Sequence, residues 1–107
     1  MLKYFVEIDM KNQEERDLKA IQALLNPRSI AVIGASKDVR KFGGRLLSYL
    51  FKHGFKNEVY PINPKSTEIL GLKCYSNVKD VPSDIDLACI LVPYDIIPKI
   101  VKECAEK

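Results

Sequence analysis

The sequence predicts a doubly wound α/β fold built on a parallel sheet, and three observations carry that prediction. Short apolar runs alternate along the chain with stretches of helical period. One of them, Ile30-Ala31-Val32-Ile33, leads into a glycine-bearing loop and then a helix. The longest, Leu87-Ala88-Cys89-Ile90-Leu91-Val92, is almost uninterrupted, which is how a strand covered on both faces reads.

Taken in order, residues 2 to 10 alternate, with Leu2, Tyr4, Val6, Ile8 and Met10 separated mostly by polar residues. That is a strand period, so residues 1–10 are either an extra edge strand or a tail, and residues 11–107 form a single domain. Asn12 and Glu15 have capping-box spacing at the start of a helix. Leu18, Ile21, Leu24 and Leu25 give that helix an apolar stripe, expected to pack on the flank of the sheet, and Asn26-Pro27 ends it.

Ile30 to Ile33 is then a buried parallel strand, closed by Gly34. Gly34-Ala35-Ser36, six mostly polar or basic residues and Gly43-Gly44 make the loop. The following helix has Leu46, Leu47, Leu50 and Phe51 on one face, and His53-Gly54 closes it with glycine past its end. Glu58 to Asn63 is the second strand, and Pro61, which has no N–H, is awkward there unless it sits late in the strand. Ser66 to Leu70 reads as one helical turn, Leu72 to Tyr75 as a short third strand, and Ser76-Asn77 as the cap of a further short turn. Leu87 to Val92 is the fourth strand. Asp95 is expected to cap the last helix, with Ile96, Ile97, Ile100, Val101, Cys104 and Ala105 facing inward.

Right-handed crossovers give the strand order 3-2-1-4. The fold then turns between the first and fourth strands, and a ligand is expected at their carboxyl ends. Three loops meet there: Gly34 to Gly44, Asn63 to Lys65, and Val92 to Tyr94. The chain stops after a helix, where a fifth strand is expected, so the domain reads as truncated.

The totals bound the function. With 107 residues, 47% hydrophobic and 29% charged, the chain is one ordinary globular domain. A net charge of +3 is too small to argue for nucleic acid. No stretch approaches membrane-spanning length and no signal peptide is evident, so no membrane role is expected. Cys74, Cys89 and Cys104 are odd in number and lack C-x-x-C spacing, as in a reduced, cytoplasmic protein. His53 is the sole histidine and reads as structural; no metal site or catalytic residue is expected.

A strand, glycine loop and helix invite a phosphate at the helix N-terminus. The dinucleotide pattern G-x-G-x-x-G is absent. NAD also calls for an acidic residue at the end of the second strand, where this chain has Asn63-Pro64-Lys65. A lysine there attracts an extra ribose phosphate, which leaves NADP and coenzyme A (CoA).

Several segments together resemble one known family: L-L-N-P-R-S-I-A-V-I-G-A-S at 24 to 36, K-F-G-G at 41 to 44, Y-P-I-N-P-K at 60 to 65, I-L-G-L-K-C-Y at 69 to 75, D-V-P at 80 to 82 and D-L-A-C-I-L-V-P at 86 to 93. They look like the Rossmann-like, N-terminal CoA-binding domain of NDP-forming acyl-CoA synthetases. These include the ADP-forming acetyl-CoA synthetases, relatives of the succinyl-CoA synthetase α subunit. The resemblance covers about residues 18 to 107. It implies the reaction acyl-CoA plus ADP and phosphate to acid, CoA and ATP, through a phosphohistidine. That histidine belongs to another domain, so this chain would bind CoA without completing chemistry.

Carried over by position, the CoA contacts would come first from Gly34, Ala35, Ser36, Lys37, Asp38, Arg40, Lys41 and Gly43. Ser36 and its neighbours would hold phosphates through hydroxyl and backbone N–H groups. Asn63, Pro64 and Lys65 would follow, with Lys65 meeting a phosphate as a point charge. Val92 and Pro93 would wall the adenine or pantetheine. The succinyl-CoA synthetase loop has a glycine where this chain has Lys37. The implied partners are CoA or acyl-CoA and the other domains or subunits of the synthetase, with a homo-oligomer left open. Two alternatives remain: a stand-alone CoA-binding regulatory module, and an NADP-binding domain.

Overall fold

The structure is a computed structural model and describes residues 13–107. The strand or tail over residues 1–10 and the cap at Asn12 lie outside the described residues.

Helix α1 (Gln13–Leu25) carries an i,i+4 ion pair, Glu15 to Lys19 at 3.1 Å. It stops where Pro27 makes helical geometry unfavourable for the residue before it. Its apolar stripe does not pack on the sheet as expected. Leu18, Ile21, Leu24 and Leu25 are all exposed, Leu25 at 77%. The 3.6-residue period formed the helix without supplying a surface for it.

Strand β1 (Ser29–Ile33) is buried at every position. It runs parallel to β2 (Glu58–Ile62) on one side and β5 (Leu87–Ile90) on the other. Val32 stands level with Pro61 and with Cys89. Alternate residues serve opposite faces. Ala31 and Ile33 pack with Val78, Val81, Ile85 and Cys104, under α3 (Ile97–Glu106). Ile30 and Val32 pack with Leu47 of α2 (Phe42–Lys52) and with Ile69 and Cys74. Covering both faces is why β1 reads as an unbroken apolar run. Burying Leu47 completely contributes roughly 1.5–3 kcal/mol.

The one polar side chain buried at the start of β1 is fully matched. Ser29 Oγ donates to the Asp84 carbonyl at 2.9 Å and accepts from the Asp86 N–H at 2.9 Å. This ties the entry of β1 to the entry of β5.

Pro61 sits comfortably in β2 for a geometric reason. Its carbonyl accepts from the Tyr75 N–H on the outer side of the strand. A strand residue's N and C=O point the same way, so the missing N–H faces outward and costs no bond to β1.

Two readings of the third strand need correction. Ser66 to Leu70 contains no helical turn: Glu68–Ile69 (β3) pairs antiparallel with Leu72–Lys73 (β4) across Leu70-Gly71. Both turn residues have positive φ, 51° and 79°, the backbone a tight hairpin needs. Only Tyr75 continues the parallel sheet, bridging to Ile62 beyond β2. The order on that side is thus as expected, carried by one residue instead of a strand.

The fourth strand is half-buried and lies at the edge of the three-stranded sheet. A short turn, Val78–Asp80, is capped as expected, with Asn77 Oδ1 accepting from the Lys79 N–H. Asp95 does not cap the last helix. It lies inside a short turn, Tyr94–Ile96, and α3 begins behind Ile96 with Pro98 in its first turn. Proline there already omits one of the donors a cap would satisfy. Among the described residues no helix is long and apolar enough to cross a membrane.

Candidate functional site

The carboxyl ends of β1, β2 and β5 open into a cleft of about 690 Å³. The β1 loop supplies Gly34, Ala35, Ser36 and Lys41 to its lining. Asn63, Pro64 and Lys65 come from the end of β2, and Leu91, Val92 and Pro93 from the end of β5. These are the three loops that the strand order brings together.

Gly34 makes the exit from β1 possible. Its φ is +94°, and a Cβ there would lie 2.1 Å from the Leu91 carbonyl oxygen. Its N–H donates to the Ile62 carbonyl at 3.0 Å, as does that of Ala35 at 3.2 Å. Gly43 rests directly on this turn, since a Cβ on it would lie 1.9 Å from the Gly34 oxygen. Gly43 therefore brings the start of α2 against the loop but does not itself line the cleft. Helix α2 opens behind Lys41 with no side-chain cap and no acidic residue in its first turn.

Ser36 Oγ accepts from the Asp38 N–H at 3.0 Å. Its own hydroxyl proton has no acceptor among the described residues. Asp38 faces Arg40: Nε and Nη2 of Arg40 donate to its two oxygens at 3.0 Å each, and the Arg40 N–H donates at 2.9 Å. The guanidinium, then that N–H, holds the Asp38 carboxyl below its usual range. Lys37, Asp38 and Arg40 do not line the cleft. Mutual neutralisation of Asp38 and Arg40 was hidden in a sequence that shows only a basic loop.

Asn63 joins two loops. Its Nδ2 donates to the Ala35 carbonyl at 2.8 Å and its Oδ1 accepts from the Lys65 N–H at 2.8 Å. Both ends of the amide are thereby committed to holding the loops. Beneath it, the Cys74 thiol lies 3.6 Å from the Asn63 carbonyl. The side chains of Lys41 and Lys65 are exposed at the cleft and form no ion pair with a described residue.

The opposite wall was not read from the sequence as part of a site. It comprises Ser76, Asn77 and Val78 with Ile96, Lys99, Ile100 and Glu103. The last four are spaced i, i+3, i+4, i+7 along one face around the start of α3. The sequence shows Ile96 and Ile100 as a core stripe. Lys99 and Glu103 lie on the same stripe and were the available signal. No histidine or cysteine lines the cleft among the described residues. His53 ends α2, its ring 6.1 Å from that of Tyr49. The arrangement is suited to holding a ligand that is anionic at the loop side and apolar along β5.

Residues 28–107 match the family model described as CoA binding domain (CoA_binding_2). The chain is 44% identical over 87 residues to the ADP-forming acetate–CoA ligase II of Archaeoglobus fulgidus, covering 81% of this chain and 13% of that protein. With the corresponding ligase of Methanocaldococcus jannaschii identity is 49% over 81 residues, covering 76% and 11%. This chain therefore spans a small part of those relatives' length. A structure of the "dinucleotide forming" acetyl-coenzyme A synthetase 1 from Ca. Korarchaeum cryptofilum, in complex with phosphate and ADP, superposes with a TM-score of 0.79 at 46% identity, covering 82% of this chain and 19% of that one. The sheet, the loops around the cleft and these similarities agree: the chain belongs to the CoA binding domain family.

Proposed function

We propose that the cleft binds coenzyme A and that the chain is the CoA-binding part of an ADP-forming acyl-CoA synthetase. The carrying observation is the end of β2. Asn63 stands where a nicotinamide dinucleotide site would place a carboxylate, and Lys65 projects at the cleft behind it. Lys65 and Lys41 supply positive charge for the 3′-phosphate and diphosphate. The Ser36 hydroxyl, whose proton has no acceptor among the described residues, adds a hydrogen bond. Val92 and Pro93 give an apolar wall. In the full enzyme the reaction would be acyl-CoA plus ADP and phosphate to acid, CoA and ATP. This chain would contribute binding and orientation, and a histidine elsewhere would carry the phosphoryl group.

Calorimetric titration tests this with CoA, dephospho-CoA and NADP against wild type and Lys65→Ala. CoA is expected to bind with Kd on the order of 10–100 μM, about −5.5 to −7 kcal/mol. Dephospho-CoA binds less well, and Lys65→Ala removes that difference. Preference for NADP, or CoA binding indifferent to Lys65, contradicts the proposal.

One observation favours a second reading, a stand-alone CoA-binding module. The uncharacterized protein YneT of Bacillus subtilis is 27% identical over 97 residues, covering 91% of this chain and 69% of YneT. The size of the native polypeptide in extracts of the source cells separates the two. A product near 12.2 kDa supports the module, and one several times larger supports the synthetase.

A further inference from the structure

A polyanion site is an unexpected place for a carboxylate, yet Glu103 lines the cleft. Its position is fixed. Asn77 Oδ1 accepts from the Lys79 N–H at 2.9 Å, which sets the orientation of the amide. Asn77 Nδ2 then donates to Glu103 Oε2. Both residues are half-buried. Glu103 Oε1 has no donor among the described residues.

A carboxylate repels phosphate, most strongly where water is partly excluded. The phosphates of CoA therefore belong near Lys41 and Lys65, and Glu103 must face an uncharged part of the ligand that carries an N–H donor. Two parts qualify, the adenine amine and the pantetheine amides; the ribose and pantoyl hydroxyls lie close to phosphate groups, which the carboxylate repels. The adenosine is joined through one ribose to the 3′-phosphate, whereas pantetheine leaves from the far end of the diphosphate. The wall around Glu103 also carries Val78, Ile96 and Ile100, which suit a flat ring, together with Lys99.

Resting on the CoA reading of the cleft, we propose that Glu103, positioned by Asn77, reads the adenine base by accepting a hydrogen bond from its exocyclic N6 amine. Asn77 is a positioning residue and Glu103 a specificity residue. Hypoxanthine carries a carbonyl oxygen at that position and would meet the carboxylate unfavourably.

The test compares CoA with deamino-CoA, its hypoxanthine analogue, by calorimetry on the full 107-residue chain. Wild type should bind CoA about tenfold or more tightly than deamino-CoA, since a site built around a ligand donor rejects the analogue lacking it. In Glu103→Gln, Asn77 Nδ2 still requires an acceptor, so the glutamine oxygen turns to it and its NH2 faces the base. The preference should then reverse toward deamino-CoA. Equal wild-type affinities overturn the inference, and so does a Glu103→Gln variant that weakens both ligands alike. Should that variant fail to fold in a thermal melt, the wild-type ratio alone decides. CoA binding that depends on Lys65 but ignores the base overturns only this inference. Absence of CoA binding removes it together with the reading beneath it.

Discussion

Burial raises the Cys74, Cys89 and Cys104 thiols above their ordinary value of 9.0. The folded protein keeps these protons while the unfolded chain releases them near 9.0. Their contribution to stability is therefore complete below about pH 9 and is lost as pH rises toward the higher folded values. The Tyr60 phenol, raised chiefly by its hydrogen bond to Glu58, acts in the same direction at still higher pH. Thermal melts between neutral pH and about pH 10.5 should show a Tm falling above about pH 9. A flat or rising Tm would contradict this, and Cys89→Val should lessen the fall. Site residues were legible where one side chain has one task. Gly34, Ser36, Lys65 and Val92 all reach the cleft. Asp38 and Arg40 were expected among the CoA contacts because nothing in their spacing reveals that each satisfies the other. Glu103 was missed because a helix carries its cleft-facing polar residues on the same stripe as its core residues.

The helices and strands separate local from tertiary information. Helix α1 formed where periodicity placed it, but its leucines remain in solvent. Period reports a shared face and says nothing of what covers it. Replacing Leu24 and Leu25 together by glutamate should change unfolding free energy by no more than about 0.5 kcal/mol per site, as for surface positions without partners. Urea unfolding followed by circular dichroism measures it; a loss of several kcal/mol would mean the stripe is covered in solution. Strand β1 was legible because a covered parallel strand must be continuously apolar, and β5 reads the same way although it is half-buried at the sheet edge. The Ser66 to Tyr75 segment was not. Its hairpin depends on Leu70 and Gly71 adopting positive φ together, and Leu70 gives no sign of that in sequence.

The whole molecule places Lys41 and Lys65 on one wall of the cleft and Glu103, with Lys99 one turn before it, on the other. This is how a chain of net charge only +3 offers a polyanion a favourable face. The strand order could be foreseen because crossover handedness leaves few choices. The cleft's second wall could not, because it forms only when the Ser76–Val78 segment and α3 meet.

The two margins of the sheet are unlike. Beside β2, Pro61 offers no donor, and Tyr75 bonds the Pro61 carbonyl and the Asn63 N–H, so the carboxyl end of that margin is occupied. Beside β5, among the described residues, no strand pairs on the side away from β1. Leu91 directs its N–H inward to Ile33, so Ala88 and Ile90 direct theirs outward. Among the described residues the β5 margin lacks even a single bridge, so in concentrated solution it is where two molecules would meet. Light scattering should record self-association that rises with concentration and drops in Ala88→Pro, which removes an outward donor and no bond to β1. Scattering unchanged by that substitution would place the contact elsewhere.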